Sequence, residues 1–152
     1  MELKLHPPIV MLLCAGLMKL LASWLPLAAL PLPPAAATGL ALVLAAAGAV
    51  SGMAGVVAFA RQRTTVNPHR PERTSALVTG GIYRFTRNPM YLGMLCFLLA
   101  WALWLSTPLA LLGVALYVGY LNRFQIRPEE RVLEERFGTR FTSYCATVRR
   151  WL

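Results

Sequence analysis

Hydrophobic and polar positions along this chain are sorted into blocks rather than interleaved. No charged residue occurs between Lys19 and Arg61, and none between Arg87 and Arg123. Crossing a bilayer as a helix takes about 20 mostly apolar residues. The first gap therefore holds the end of one span and all of another, and the second holds two spans joined tightly. The pattern predicts helices over 9–30, 36–60, 88–105 and 108–124. Pro31-Leu32-Pro33-Pro34 separates the first pair, because consecutive prolines cannot continue a helix. Ser106-Thr107-Pro108 separates the second pair, with Pro108 suited to a first helical position. Lys19, inside the first span, reads as a side chain snorkelling to an interface or facing a polar pocket. A cleaved signal peptide competes for this span, but no small-residue cleavage site follows a short apolar core.

Beyond the last apolar block the period changes. Leu133, Phe137, Phe141, Tyr144 and Val148 recur at helical spacing, one apolar stripe with a charged face opposite. Pro128 followed by Glu129 and Glu130 suits a helix start, since acids favour that end. Gly138 breaks or bends this helix halfway. The expected fold class is all-α: an integral membrane protein with about four transmembrane helices and a cytoplasmic amphipathic C-terminal helix. One domain over 1–152 accounts for the length.

Composition agrees, with 57% hydrophobic residues and a mean hydropathy of +0.56. Charge adds orientation. Arg61, Arg63, Arg70, Arg73, Arg84 and Arg87 lie between the second and third spans, Lys4 precedes the first, and Arg123 to Arg150 follow the fourth. The two short outer connections carry no charge. Basic residues favour the cytoplasmic side, so both termini and the central loop are expected there, in the cytoplasmic (inner) membrane. The net charge of +9 is thereby assigned to topology and membrane lipids rather than to nucleic acid. Cys14, Cys96 and Cys145 form no close pair, and His6 and His69 are too scattered for a metal site, so no metal is expected.

Two cytoplasmic segments remain for chemistry: the loop over 61–87 and the tail over 125–152. Asn67-Pro68, Arg70-Pro71 and Gly80-Gly81 make the loop irregular. Gly80-Gly81 permits close approach of the main chain to a ligand. Asn88-Pro89 opens the third span, Asn88 as cap and Pro89 in the first turn, with a mildly positive end that suits a carboxylate. A well-capped helix start explains the same residues without any ligand. Glu129 and Glu130 likewise have two readings. They compensate the helix dipole and pair with Arg131 or Arg136, or they face the loop and accept hydrogen bonds from a bound cofactor.

The loop and tail together resemble the isoprenylcysteine carboxyl methyltransferase family and its wider membrane group, which includes phospholipid N-methyltransferases. The resemblance rests on Leu77-Val78-Thr79, Gly81-Ile82-Tyr83, Arg87-Asn88-Pro89-Met90-Tyr91 and Gly93. Beyond a helical hairpin it continues in Glu129-Glu130, Leu133, Phe137-Gly138 and Tyr144, covering about half the chain. It implies methyl transfer from S-adenosylmethionine, held in a cytoplasm-facing pocket, to a hydrophobic or lipid-like acceptor that enters from the bilayer. By position, Ala76, Leu77 and Val78 would lie along the cofactor, and Tyr83 would pack on it. Asn88, Pro89, Met90 and Tyr91 would wall the pocket, and Glu129 would hold the cofactor's polar groups.

Three departures stand out. Asn88 and Ser75 occupy places where family members often carry His. Gln125 stands where an arginine would grip a substrate carboxylate, with Arg123 and Arg127 two residues to either side as its replacements. A prenylcysteine-like carboxylate is the implied acceptor; a phospholipid amine or a small thiol is the alternative. A carboxylate needs no base, whereas an amine or thiol would call on Tyr83, Tyr91 or Glu130. A small membrane subunit or transporter without catalysis is the reading from a different class. Against it, Lys19 is the only charged residue within a span.

Overall fold

The structure, a computed structural model, describes residues 5–25, 29–61 and 77–152. Every regular element among them is helical: α1 (Pro7–Trp24), α2 (Pro34–Arg61), a 3-10 turn (Gly81–Arg84), α3 (Pro89–Leu105), α4 (Ala110–Leu121), a π turn (Asn122–Ile126), α5 (Arg127–Phe137) and α6 (Thr139–Thr147). Helices α1 and α2 are long and apolar enough to cross a membrane, and α3 is apolar over 17 residues. Exposed Leu12, Leu13, Leu42, Val43, Val50, Met53, Trp104 and Leu116 give the bundle an apolar outer surface. In water so much exposed apolar surface would be a liability; against lipid it is the expected exterior.

Three boundaries differ from the pattern-based expectation, each for a local reason. α1 stops at Trp24 rather than near residue 30, with Leu25 already non-helical at φ −126° and ψ 77°. Pro26 follows, and the residue before a proline is disfavoured in the helical region. Pro108 lies in the turn before α4 rather than at its first position, since Ala110 and Leu111 donate back to Thr107 and Pro108. The expected helix start at Pro128 is instead a continuation. α4 runs through the π turn into α5, and the Arg127 amide reaches back five residues to the Asn122 carbonyl. A proline lacks the donor for a normal turn and its ring collides with the carbonyl four residues earlier. The wider turn relieves both problems. At Gly138, φ +53° and ψ −127° end α5, so the tail is two helices. The apolar stripe survives the break, with Phe141 and Val148 buried and Leu133, Phe137 and Tyr144 partly so.

Small residues set the helix spacing. A Cβ on Gly93 would come within 2.6 Å of the Gly48 carbonyl, and one on Gly48 within 2.7 Å of the Gly93 carbonyl. Gly48 and Gly55 of α2 therefore serve packing against α3 within the bundle, Gly48 backbone against backbone. Ser51 Oγ adds a hydrogen bond to the Pro89 carbonyl at 2.8 Å. Gly93→Ala is expected to destabilise the protein by about 1–3 kcal/mol through overpacking. Thermal unfolding in detergent checks it, beside Gly119→Ala, where nothing lies within 4 Å of the added carbon.

Candidate active site

Four segments converge where α3 begins. The 3-10 turn precedes it, α5 lies beside it, and the last residues of the chain lie against both. Gly81 enters the turn at φ +62°, a conformation that costs a side chain strain. Tyr83 in this turn is buried. Its ring meets Phe59 of α2 edge-on at 5.5 Å, and its carbonyl accepts the Tyr144 hydroxyl at 2.7 Å. The turn is thus fastened to both α2 and α6.

Glu129 joins α5 to the start of α3. Its Oε1 accepts the Tyr91 hydroxyl at 2.7 Å and the Gln125 amide at 2.5 Å. The Tyr91 carbonyl in turn accepts the Tyr117 hydroxyl at 3.3 Å. Burial pushes the Glu129 carboxyl up to about 7, the nearby Glu130 charge adding to it while the two donated hydrogen bonds pull it down. The same cause holds the Tyr83 phenol well above its ordinary range and the Tyr144 phenol up to about 12.

Glu130, one residue on, points to a different set of partners. It pairs with Arg87 at 3.3 Å and with Arg150 through two hydrogen bonds of 3.1 and 2.5 Å. Arg87 also donates to the Cys145 thiol. Around this pair the chain's end is tied to the start of α3. The Arg87 amide donates to the Arg149 carbonyl at 3.0 Å, and Asn88 Nδ2 donates to the Arg150 carbonyl at 2.9 Å. Asn88 therefore does not cap α3 with its side chain; it anchors the C-terminal residues. Trp151 closes the tie by donating to Asn122 at 3.2 Å.

The residues expected at a cofactor divide into groups. Tyr91 and Glu129 meet directly, Tyr83 stands in the flanking turn, and Asn88 immediately precedes α3. Val78 and Pro89 are buried, while Leu77 is partly exposed. Met90 lies against α2, where a Cβ on Gly55 would meet its side chain at 2.9 Å. Ala76 and Ser75 lie outside the described residues. Arg123 and Arg127 are exposed and line a separate cleft of about 320 Å³ with Glu130, Arg131 and Glu134. Each is two residues from Gln125, an offset of about 200° around a helix, which turns both away from it. Sequence reasoning missed Arg150 and Trp151. Neither sits in a motif, and only the fold brings them beside residues 86–88. Among the described residues no group of three His, Cys, Asp or Glu could hold a metal.

A carboxyl whose pKa rises on folding stabilises the protein below its unfolded value, and that contribution is lost as pH climbs through the folded value. For Glu129 the window runs from its ordinary value of 4.5 to about 7. Glu129→Gln keeps an oxygen for Tyr91 and Gln125 but cannot ionise. Its melting temperature is expected to exceed that of the wild type at pH 8, with the gap closing towards pH 5. A gap independent of pH would mean that Glu129 is not the group concerned.

The model of the family described as phospholipid methyltransferase matches residues 36–140. A protein of Haemophilus influenzae described as uncharacterized is 51% identical over 63 residues, which is 41% of this chain and all of that one. Protein-S-isoprenylcysteine O-methyltransferase A of Arabidopsis thaliana is 27% identical over 107 residues, covering 70% of this chain and 54% of the relative. Its counterpart B is 28% identical over 93 residues, covering 61% and 47%. The chain thus spans about half the length of the two plant proteins. No solved structure gives a significant match.

Proposed function

The chain belongs to the phospholipid methyltransferase family, and from that premise we propose that this membrane methyltransferase uses S-adenosylmethionine and modifies a hydrophobic acceptor. In this reading 1–152 is one domain with four spans, its termini and active site facing the cytoplasm from the inner membrane. The observation that carries it is the Glu129 carboxylate, held by Tyr91 and Gln125 beside the start of α3. Burial that lifts its pKa to about 7 is an energetic cost to the ionised form. A ligand with a positive charge and hydroxyl donors would relieve that cost, so the residues fit this cofactor. Tyr83, Asn88, Pro89 and Met90, with Leu77, Val78 and Ala76, are assigned to the surrounding wall.

When bound, the cofactor supplies a methyl carbon to a lone pair of the acceptor, the carbon–sulfur electrons staying on sulfur. The chain's own work is to hold donor and acceptor in line and keep water out. Tyr83 keeps its proton because of burial, and both Glu130 oxygens are engaged by arginines. Neither is placed to act as a base, which favours an acceptor that is already ionised, such as a prenylcysteine-like carboxylate. Arg123 or Arg127 would orient it by approach from the neighbouring cleft. A second reading, a phospholipid amine, draws on Gln125. This residue is 1% exposed and spends its amide on Glu129, so no guanidinium replaces it there.

The test is calorimetric titration of the detergent-purified full chain with S-adenosylmethionine, beside Tyr83→Ala. Saturable binding that the variant weakens several-fold is the expected result. A folded wild type that binds nothing overturns the proposal and leaves a non-catalytic membrane subunit in its place. Labelled cofactor offered with a farnesylated cysteine or with aminophospholipid vesicles then separates the two acceptors.

A further inference from the structure

A second cleft, which Glu129 does not line, opens between residues 77–84 and α6 with a volume of about 710 Å³. Its polar lining is uniform in kind: Thr79, Arg84, Thr139, Arg140, Ser143 and Thr147. That is two guanidinium groups and four aliphatic hydroxyls, with the Tyr144 phenol beside them and no carboxylate among the lining residues. Arg84 and Arg140 are exposed, and among the described residues neither is paired with an acid. Thr139 is the first residue of α6, so the positive end of that helix adds to the field.

The preference for basic residues on the cytoplasmic side explains the sign of these charges but not their arrangement. A solvated basic face is mixed with acids, as on α5, where Arg131 and Arg136 bracket Glu134 and Glu135. Here both arginines line one concavity, and every other polar side chain lining it is a hydroxyl that can donate a proton. Arg84 also lies in the turn just before α3. In the orientation proposed above, that is the level of the lipid headgroups.

We propose that this cleft is a subsite for a phosphate group, carried by an anionic membrane phospholipid. Guanidinium forks match phosphate oxygens in pairs, and hydroxyls complete such a shell. The volume suits a headgroup, within the roughly 300–1,000 Å³ typical of small-ligand pockets. The fastening of Tyr144, which also lines the cleft, to the Tyr83 carbonyl places this subsite next to the turn assigned to the cofactor.

Native mass spectrometry of the full chain in detergent, titrated with dioctanoyl-phosphatidylglycerol, tests this without recourse to methyl transfer. Arg84→Ala/Arg140→Ala should weaken lipid binding about tenfold, since each basic residue near a membrane surface contributes measurably. Arg131→Ala/Arg136→Ala, which removes the same charge, should leave it within about twofold. Arg84→Lys/Arg140→Lys should fall between, keeping charge but losing the forks. Displacement by inorganic phosphate at matched concentration would assign the subsite to free phosphate, and its failure to displace would assign it to lipid. Equal losses in both alanine pairs, or equally tight binding of phosphate-free dioctanoylglycerol, would overturn the proposal. So would displacement of the lipid by S-adenosylmethionine, because the cofactor would then occupy this cleft.

Discussion

Replacing Glu129 with alanine is expected to abolish S-adenosylmethionine binding within calorimetric range, a loss of about 100-fold or more. Hydrogen bonds to a charged group contribute roughly 1.5–3 kcal/mol each, so losing two such bonds from the cofactor accounts for that drop. Glu129→Ala also strands the Tyr91 hydroxyl and the Gln125 amide, which lowers the stability of free and bound protein alike. Glu129→Gln keeps those two donors satisfied and loses only the charge, so it should cost about tenfold. The pair of variants therefore separates charge from packing. Acidity gives a further signature. The carboxyl titrates at about 7, so wild-type affinity should decline as pH falls below that value. Glu129→Gln should show no such decline. An alanine variant that binds like the wild type would remove Glu129 from the site and, with it, the observation on which the methyltransferase chemistry rests.

The sequence made parts of this legible because they depend on local rules. Apolar blocks bounded by charge located α2 and α3 to within about two residues. The helical spacing from Leu133 to Val148 identified the inward stripe of the tail. The clustering of Tyr91 with Glu129 followed only from the resemblance, since 38 residues separate them. What sequence did not reveal is non-local. Glu130 had Arg131 and Arg136 near it in sequence, yet it pairs with Arg87 and Arg150, which the fold brings in from 43 and 20 residues away. Asn88 satisfies the sequence rule for a helix cap, but its side chain goes to Arg150. The continuity from α4 into α5 was hidden because proline is a sound start signal. Only the wide turn at Asn122–Ile126 shows that the chain did not need to stop.

Glu130→Gln is expected to cost about 2 kcal/mol of stability and about tenfold in cofactor affinity. Breaking one side of a buried ion pair costs about 3–5 kcal/mol. The side chains of Glu130, Arg87 and Arg150 are 19%, 15% and 32% exposed, so solvent reduces that figure. The loss of affinity has a separate origin. Arg150 fixes the chain's last residues to α5, and their carbonyls hold the Arg87 amide and the Asn88 side chain. Releasing Arg150 frees the start of α3, where the cofactor wall is assigned, without removing any group that would touch the cofactor. Glu130 is thus a positioning residue, and two readouts identify it as one. Affinity should fall even at temperatures where the variant is fully folded, and its pH dependence should keep the single-carboxyl form of Glu129, the midpoint moving down because the Glu130 charge no longer raises it. Arg150→Gln should reproduce both losses, and combining it with Glu130→Gln should cost less than the sum, because the pair acts as a unit. Full additivity would separate the two residues and leave the tie between the chain's end and α3 without a role in binding.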